Sequence, residues 1–111
     1  MKIAIPTENH LEYEDTVADT FSRAPTFTLI SLKKGEPSEI IVIDNKSSGY
    51  SQGAGPLAAQ TLKENGVTAI LSGELGPGAK TILQTLGIEF YRTEIGKTVK
   101  EALDEWIVLY S

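Results

Sequence analysis

Two stretches of the chain are equipped to hold an anion. Gly53-Ala54-Gly55-Pro56 and Gly73-Glu74-Leu75-Gly76-Pro77 each set glycine and proline where a helix is expected to begin. The first turn of a helix carries N–H groups with no partner inside the helix, and its dipole favours negative charge. Glycine lets a ligand approach the backbone closely. Upstream, Arg23 adds a guanidinium fork suited to a carboxylate or phosphate. The chemistry on offer is the binding of a small anion or an anionic cofactor.

Groups for catalysis are sparse. The single histidine, His10, lies in an acidic stretch. Ser22, Ser47, Ser48, Ser51 and Ser72 have no histidine at a spacing that suggests a triad. Asp44 ends an expected strand and Glu74 follows another, but the first strand, Lys2-Ile3-Ala4-Ile5, carries no acid to complete a two-metal site. The chain has no cysteine, which excludes disulfides, thiolate metal sites and a thiol nucleophile. Gly53-x-Gly55 lacks the third glycine of a dinucleotide fingerprint, and no Walker sequence is present.

Charge narrows the partners. A formal net charge of −5 argues against nucleic acid, which needs a basic face. No run approaches the ~20 apolar residues of a membrane span. The short apolar start is a strand rather than a signal peptide, so a cytoplasmic setting is expected. Residues 8–19 hold Glu8, Glu12, Glu14, Asp15 and Asp19 without a lysine or arginine, as a solvated loop or a cation-attracting rim.

The elements that must position these residues follow from the apolar pattern. The 111 residues suit one domain over 1–111. Residues 2–5 predict a strand stopped by Pro6, and 7–25 an irregular polar segment. Residues 26–32 alternate as a strand, Lys33 to Glu36 form a turn, and the β-branched run 39–44 returns as a hairpin partner. Residues 45–53 are loop. Then a pattern repeats: residues 53–67 and 74–88 run in step at an offset of 21, from Gly-Pro opening to Gly closing. Each opening starts a helix, with Leu57, Thr61 and Leu62 on one side of the first and Ala58 and Ala59 giving close approach, and each closing glycine ends one. Strands follow at 67–71 and 88–91. Thr98 with Glu101 forms a capping box before a last helix, whose buried stripe is Val99, Ala102, Leu103 and Trp106, extending to Leu109 or Tyr110. The order is β-β-β-α-β-α-β-α, a mixed sheet with right-handed crossovers. Both Gly-Pro openings, Pro6–His10, Thr20–Pro25 and Thr93–Thr98 then share the carboxyl edge, where open α/β sheets bind ligands.

Five segments together resemble the dinitrogenase iron–molybdenum cofactor biosynthesis family, which includes NifX-type accessory proteins. They are Met1–Pro6, the F-x-R-A-P segment from Phe21 to Pro25, G-A-G-P-x-A-A-x-x-L from Gly53, G-x-x-G-P-x-A from Gly73, and G-x-T-V-x-E-A from Gly96. The resemblance covers nearly all of the chain. It implies an α/β, ribonuclease-H-like five-stranded mixed sheet with the second strand antiparallel and helices on both faces. It implies binding or carrying of an iron–sulfur or iron–molybdenum cluster, or its precursor, rather than catalysis, with a cofactor-assembly protein as partner. The positions it brings are Phe21, Ser22 and Arg23, Gly53, Ala54, Gly55 and Pro56, and Gly73, Gly76 and Pro77. The family often has His-Phe-Gly where this chain has Thr20-Phe21-Ser22. Two other readings stand beside the carrier. One is an enzyme on a small phosphorylated or carboxylated substrate with Asp44, Glu74 or His10 as base. The other is an interaction module without a ligand.

Overall fold

The computed structural model describes residues 1–50, 52–73 and 75–110. Ser51 and Glu74, named above for nucleophilic and acid–base chemistry, lie outside the described residues. Five strands form one sheet in the order β3-β2-β1-β4-β5. They are β1 (Lys2–Thr7), β2 (Thr26–Lys33), β3 (Glu36–Asp44), β4 (Ala69–Ser72) and β5 (Glu89–Arg92). β2 runs antiparallel to β1 and β3, while β1, β4 and β5 are parallel neighbours. The helices are α1 (Ala54–Glu64), α2 (Pro77–Thr85) and α3 (Val99–Tyr110). This is the expected element order.

Period-two alternation divides the core into two layers. Ile3, Ile5, Ile30, Leu32, Ala69 and Leu71 meet Val99, Ala102, Leu103 and Trp106 of α3 on one face. Ala4, Phe27, Leu29 and Ile70 meet Ala58, Ala59 and Leu62 of α1 and Leu83 of α2 on the other. Among the described residues, no helix is long and apolar enough to cross a membrane.

The β2–β3 hairpin turns through Lys34 (φ 54°) and Gly35 (φ 79°), with Lys33 paired to Glu36. Two successive positive φ values match the right-handed strand twist, and they let β3 begin at Glu36 rather than 39. Pro6 does not stop β1. It pairs with Phe27 beyond the last β1–β4 pair, Ala4 with Ile70, and its carbonyl accepts from Ala18 N at 2.8 Å. A missing N–H costs little where no strand asks for it.

β4 and β5 start later than the apolar runs predict, because the first apolar residue of each run serves the helix before it. Val67 N donates to Leu62 O at 3.0 Å, and Ile88 N to Leu83 O at 2.9 Å. Leu57 is exposed rather than packed. The buried stripe of α1 is Ala54, Ala58, Ala59 and Leu62, one helical step away. On α3 the buried stripe ends at Trp106, although the exposed Tyr110 keeps its ring 4.6 Å from that of Tyr91. The acidic stretch is mostly solvated, with one exception. Asp15 is 1% exposed, and its carboxylate accepts from the amides of Asn9, Leu11 and Thr16.

Candidate functional site

β1 has β2 on one side and β4 on the other, so the chain reverses its direction of travel across the sheet between β1 and β4. Open α/β sheets leave a crevice beside the carboxyl ends of such strands. A cleft of about 220 Å³ lies on this edge, between Asp19, Thr20, Phe21 and Ser22 on one wall and Leu75, Gly76 and Ala79 on the other.

Packing fixes the first wall. Phe21 is buried, with its ring 5.6 Å from that of Phe27. Asn45, just past β3 and 3% exposed, donates through Nδ2 to Ser22 O (3.0 Å) and Ala24 O (2.9 Å). The amide of Asn45 donates to Pro25 O at 3.0 Å. One buried asparagine therefore clasps the loop before β2. Sequence reasoning missed it, since nothing in a Ser- and Gly-rich loop marks one asparagine as internal.

The second wall is the start of α2. Gly76 is its N-cap, in an extended conformation, and Pro77 is its first helical residue. Among the described residues, no side chain caps this end. Its first-turn N–H groups therefore have no partner within the helix. Pro at this position is pre-set for the helix and lacks the N–H that would go unpaired.

The remaining expected residues go elsewhere. Gly53 is the N-cap of α1 in the left-handed region, φ 75°. Neither it nor Ala54, Gly55 or Pro56 lines the cleft. Gly73 is buried for packing, since a Cβ there would meet Ile95 Cγ1 at 2.8 Å. Arg23 sits next to the cleft wall, yet its Nη1 donates to Tyr50 O at 2.6 Å, tying the loop before β2 to the turn after β3. The structure thus brings Phe21, Ser22 and Gly76 together on the cleft and leaves Arg23, Gly53, Ala54, Gly55, Pro56 and Gly73 outside its lining.

Among the described residues, the proposed bases His10 and Asp44 do not line the cleft, and Asp19 is the one carboxylate on its wall. His10 Nε2 lies 2.8 Å from Asp44 Oδ1, so two of the proposed bases pair with each other as a solvent-exposed contact. Thr7, Thr26 and Thr28 form a buried ladder of hydroxyls, Thr7 Oγ1 lying 2.6 and 3.0 Å from the other two, and Thr26 donates onward to Asn9 O. Among the described residues, displaced pKa values belong to β5, α3 and the turn before α3. A hydrogen bond to Glu89 raises that of Tyr91. Contacts with Glu105 and Asp104 raise those of Lys97 and Lys100, and bonds from Thr98 lower that of Glu101. None of these four lines the cleft. Among the described residues, no group of three or more His, Cys, Asp or Glu is placed to hold a metal ion. A wider hollow of about 460 Å³ lies at the far end of α2, against Gln84, Gly87 and Phe90, away from any helix start.

Comparison with known proteins agrees with this architecture. The orange protein of Desulfovibrio gigas, in its apo form, is 30% identical and superposes with a TM-score of 0.88, over 96% of this chain and 87% of that one. A Thermotoga protein provisionally assigned as NifB is also 30% identical, with a TM-score of 0.77 over 95% and 85% of the two chains. An uncharacterised protein of Methanocaldococcus jannaschii is 28% identical over 110 residues, 99% of this chain and 85% of the relative. The family model described as dinitrogenase iron-molybdenum cofactor matches residues 1–108, and the chain belongs to that family.

Proposed function

We propose that this protein is a non-catalytic carrier that holds a small anionic ligand, a metallocluster or its precursor, in the cleft between Asp19–Ser22 and the start of α2. The observation that carries this reading is the uncapped N-terminus of α2 forming one wall of a carboxyl-edge cleft. Free N–H groups and the helix dipole favour an anion. Membership in the cofactor family supplies the ligand class. A cleft of about 220 Å³ is below the usual range for drug-sized ligands and suits a compact guest.

The donors present fit an anion held by hydrogen bonds. They do not fit direct ligation, since cluster irons favour thiolate or imidazole. There is no cysteine, and the one histidine is engaged with Asp44. The cluster or precursor is therefore cargo that arrives with its own ligands. Asp19 at the rim opposes an anion and favours release over tight retention.

The test is anaerobic reconstitution with iron and sulfide, and separately titration with molybdate, both followed by amide NMR. Stoichiometric molybdate binding with shifts at Thr20–Ser22 and Gly76–Ala79 is the expected result, with no protein-ligated cluster formed from iron and sulfide alone. Shifts confined to Gly53–Leu57 would move the site to α1. No uptake and no shifts with either probe would remove the carrier reading.

A further inference from the structure

The α3 face holds a second, smaller cavity, independent of the cleft. Thr93 and Trp106 are 8% and 5% exposed, and Thr93 Oγ1 and Trp106 Nε1 have no hydrogen-bond partner among the described residues. Leaving one buried polar group unsatisfied is costly, and two at once is unusual in a native fold. Both residues wall the same cavity of about 30 Å³, which also touches Leu71, Arg92, Glu105 and Tyr110.

We propose that this cavity is a binding site for one water molecule bridging Trp106 and Thr93. The indole N–H can only donate, whereas a threonine hydroxyl can do either. The guest must therefore accept from Trp106 and can exchange a bond with Thr93. A buried water needs at least two such partners and room for about one probe sphere, and the cavity provides both. It is too small for an organic ligand. Arg92 and Glu105 both belong to the wall, so the lining carries no net preference for an anion and a neutral guest fits it.

The water has a structural task. Thr93 follows β5, and its amide donates to Ser72 O at the end of β4 at 2.8 Å. Two residues on, Ile95 packs where Gly73 has no side chain. A bridge from Trp106 to Thr93 therefore steadies the segment against which the β4–α2 connection begins.

A crystal structure fine enough to show ordered water, grown with bromide replacing chloride, tests this directly. The expected result is one oxygen peak about 2.8–3.2 Å from both atoms, without anomalous signal. A bromide peak would overturn the proposal. So would a direct protein partner for either atom with no peak between them. Thr93→Val is expected to lose the water and lower Tm by roughly 5 °C, while Thr93→Ser keeps both. If Thr93→Val fails to fold, Thr93→Ser decides alone, and loss of its water peak refutes the bridge.

Discussion

The two repeated units, 53–67 and 74–88, end alike and begin differently. At their ends the hydrogen bonds repeat at the same offset of 21. Gly66 N donates to Lys63 O and Gly87 N to Gln84 O, both at 3.0 Å. Val67 donates to Leu62 and Ile88 to Leu83. Both glycines have positive φ, 79° and 77°. This is the Schellman arrangement, with its apolar contact between the residue after glycine and the third from the helix end. At their beginnings the match fails. Gly53 enters α1 with φ 75°, and Pro56 falls on the third helical residue. Gly76 enters α2 extended, and Pro77 is the first. Only the second opening borders the cleft. Each crossover must return its chain to the sheet in one way, so the closings cannot differ. The openings are under no such requirement and are free to diverge.

The largest test of that equivalence is in the core. Leu62 and Leu83 are both 0% exposed and hold the same place in their closings. Leu62→Ala and Leu83→Ala should each cost about 2–5 kcal/mol. Urea denaturation that finds one of them near neutral breaks the equivalence.

Next comes the difference between the openings. Asn45→Ala removes the two bonds that hold Ser22 and Ala24. It should cost about 1–3 kcal/mol and leave the buried Ala24 carbonyl without this donor. It should also blur the molybdate response at Thr20–Ser22, while the amides of α1 stay unchanged. A variant that loses stability yet titrates like the parent would separate the clasp from the cleft.

Much of this fold was legible in the sequence, because it rests on local patterns. Alternation marked β2, glycine in the turn marked the hairpin, and the 21-residue repeat marked two crossovers. What was hidden depends on how the loops turn, either on themselves or onto partners distant in the chain. Asp15 is internal because three backbone amides converge on it, and Asn45 because carbonyls more than twenty residues earlier reach it. Arg23 was legible as a donor, but the Tyr50 carbonyl it meets was not. The same limit applies to the Gly-Pro openings. Their shared pattern announced two helix starts, and only the loop before β2 determines which one has a cleft beside it.

A smaller test concerns the glycines. Gly66→Ala and Gly87→Ala place a side chain in the left-handed region and should each cost about 1–2 kcal/mol. Gly76→Ala should be near neutral, since its φ is −66° and an added Cβ would meet nothing within 4 Å. Thermal melts in which Gly76→Ala falls as far as Gly87→Ala would mean that the openings are as constrained as the closings.

The smallest effect separates α3 from both repeated helices. Among the described residues, the openings of α1 and α2 have no side-chain cap. α3 supplies its own anion: Thr98 N and Oγ1 donate to Glu101 Oε1 at 3.0 and 3.1 Å, and Glu101 N donates back to Thr98 Oγ1 at 3.1 Å. Its N–H groups are thus served from within, which leaves this end with less to offer a ligand. The amide and hydroxyl of Thr98 lower the pKa of Glu101 below the usual glutamate range. A carboxylate lowered on folding adds stability above its unfolded pKa, and that stability is lost as pH falls through the folded value. Glu101→Gln keeps an acceptor but cannot titrate. Denaturation of both proteins between pH 7 and about pH 3 should show the parent losing slightly more stability than Glu101→Gln across the acid range. Superimposable pH profiles would mean that the cap contributes no charge, and that α3 is open at its start like the other two.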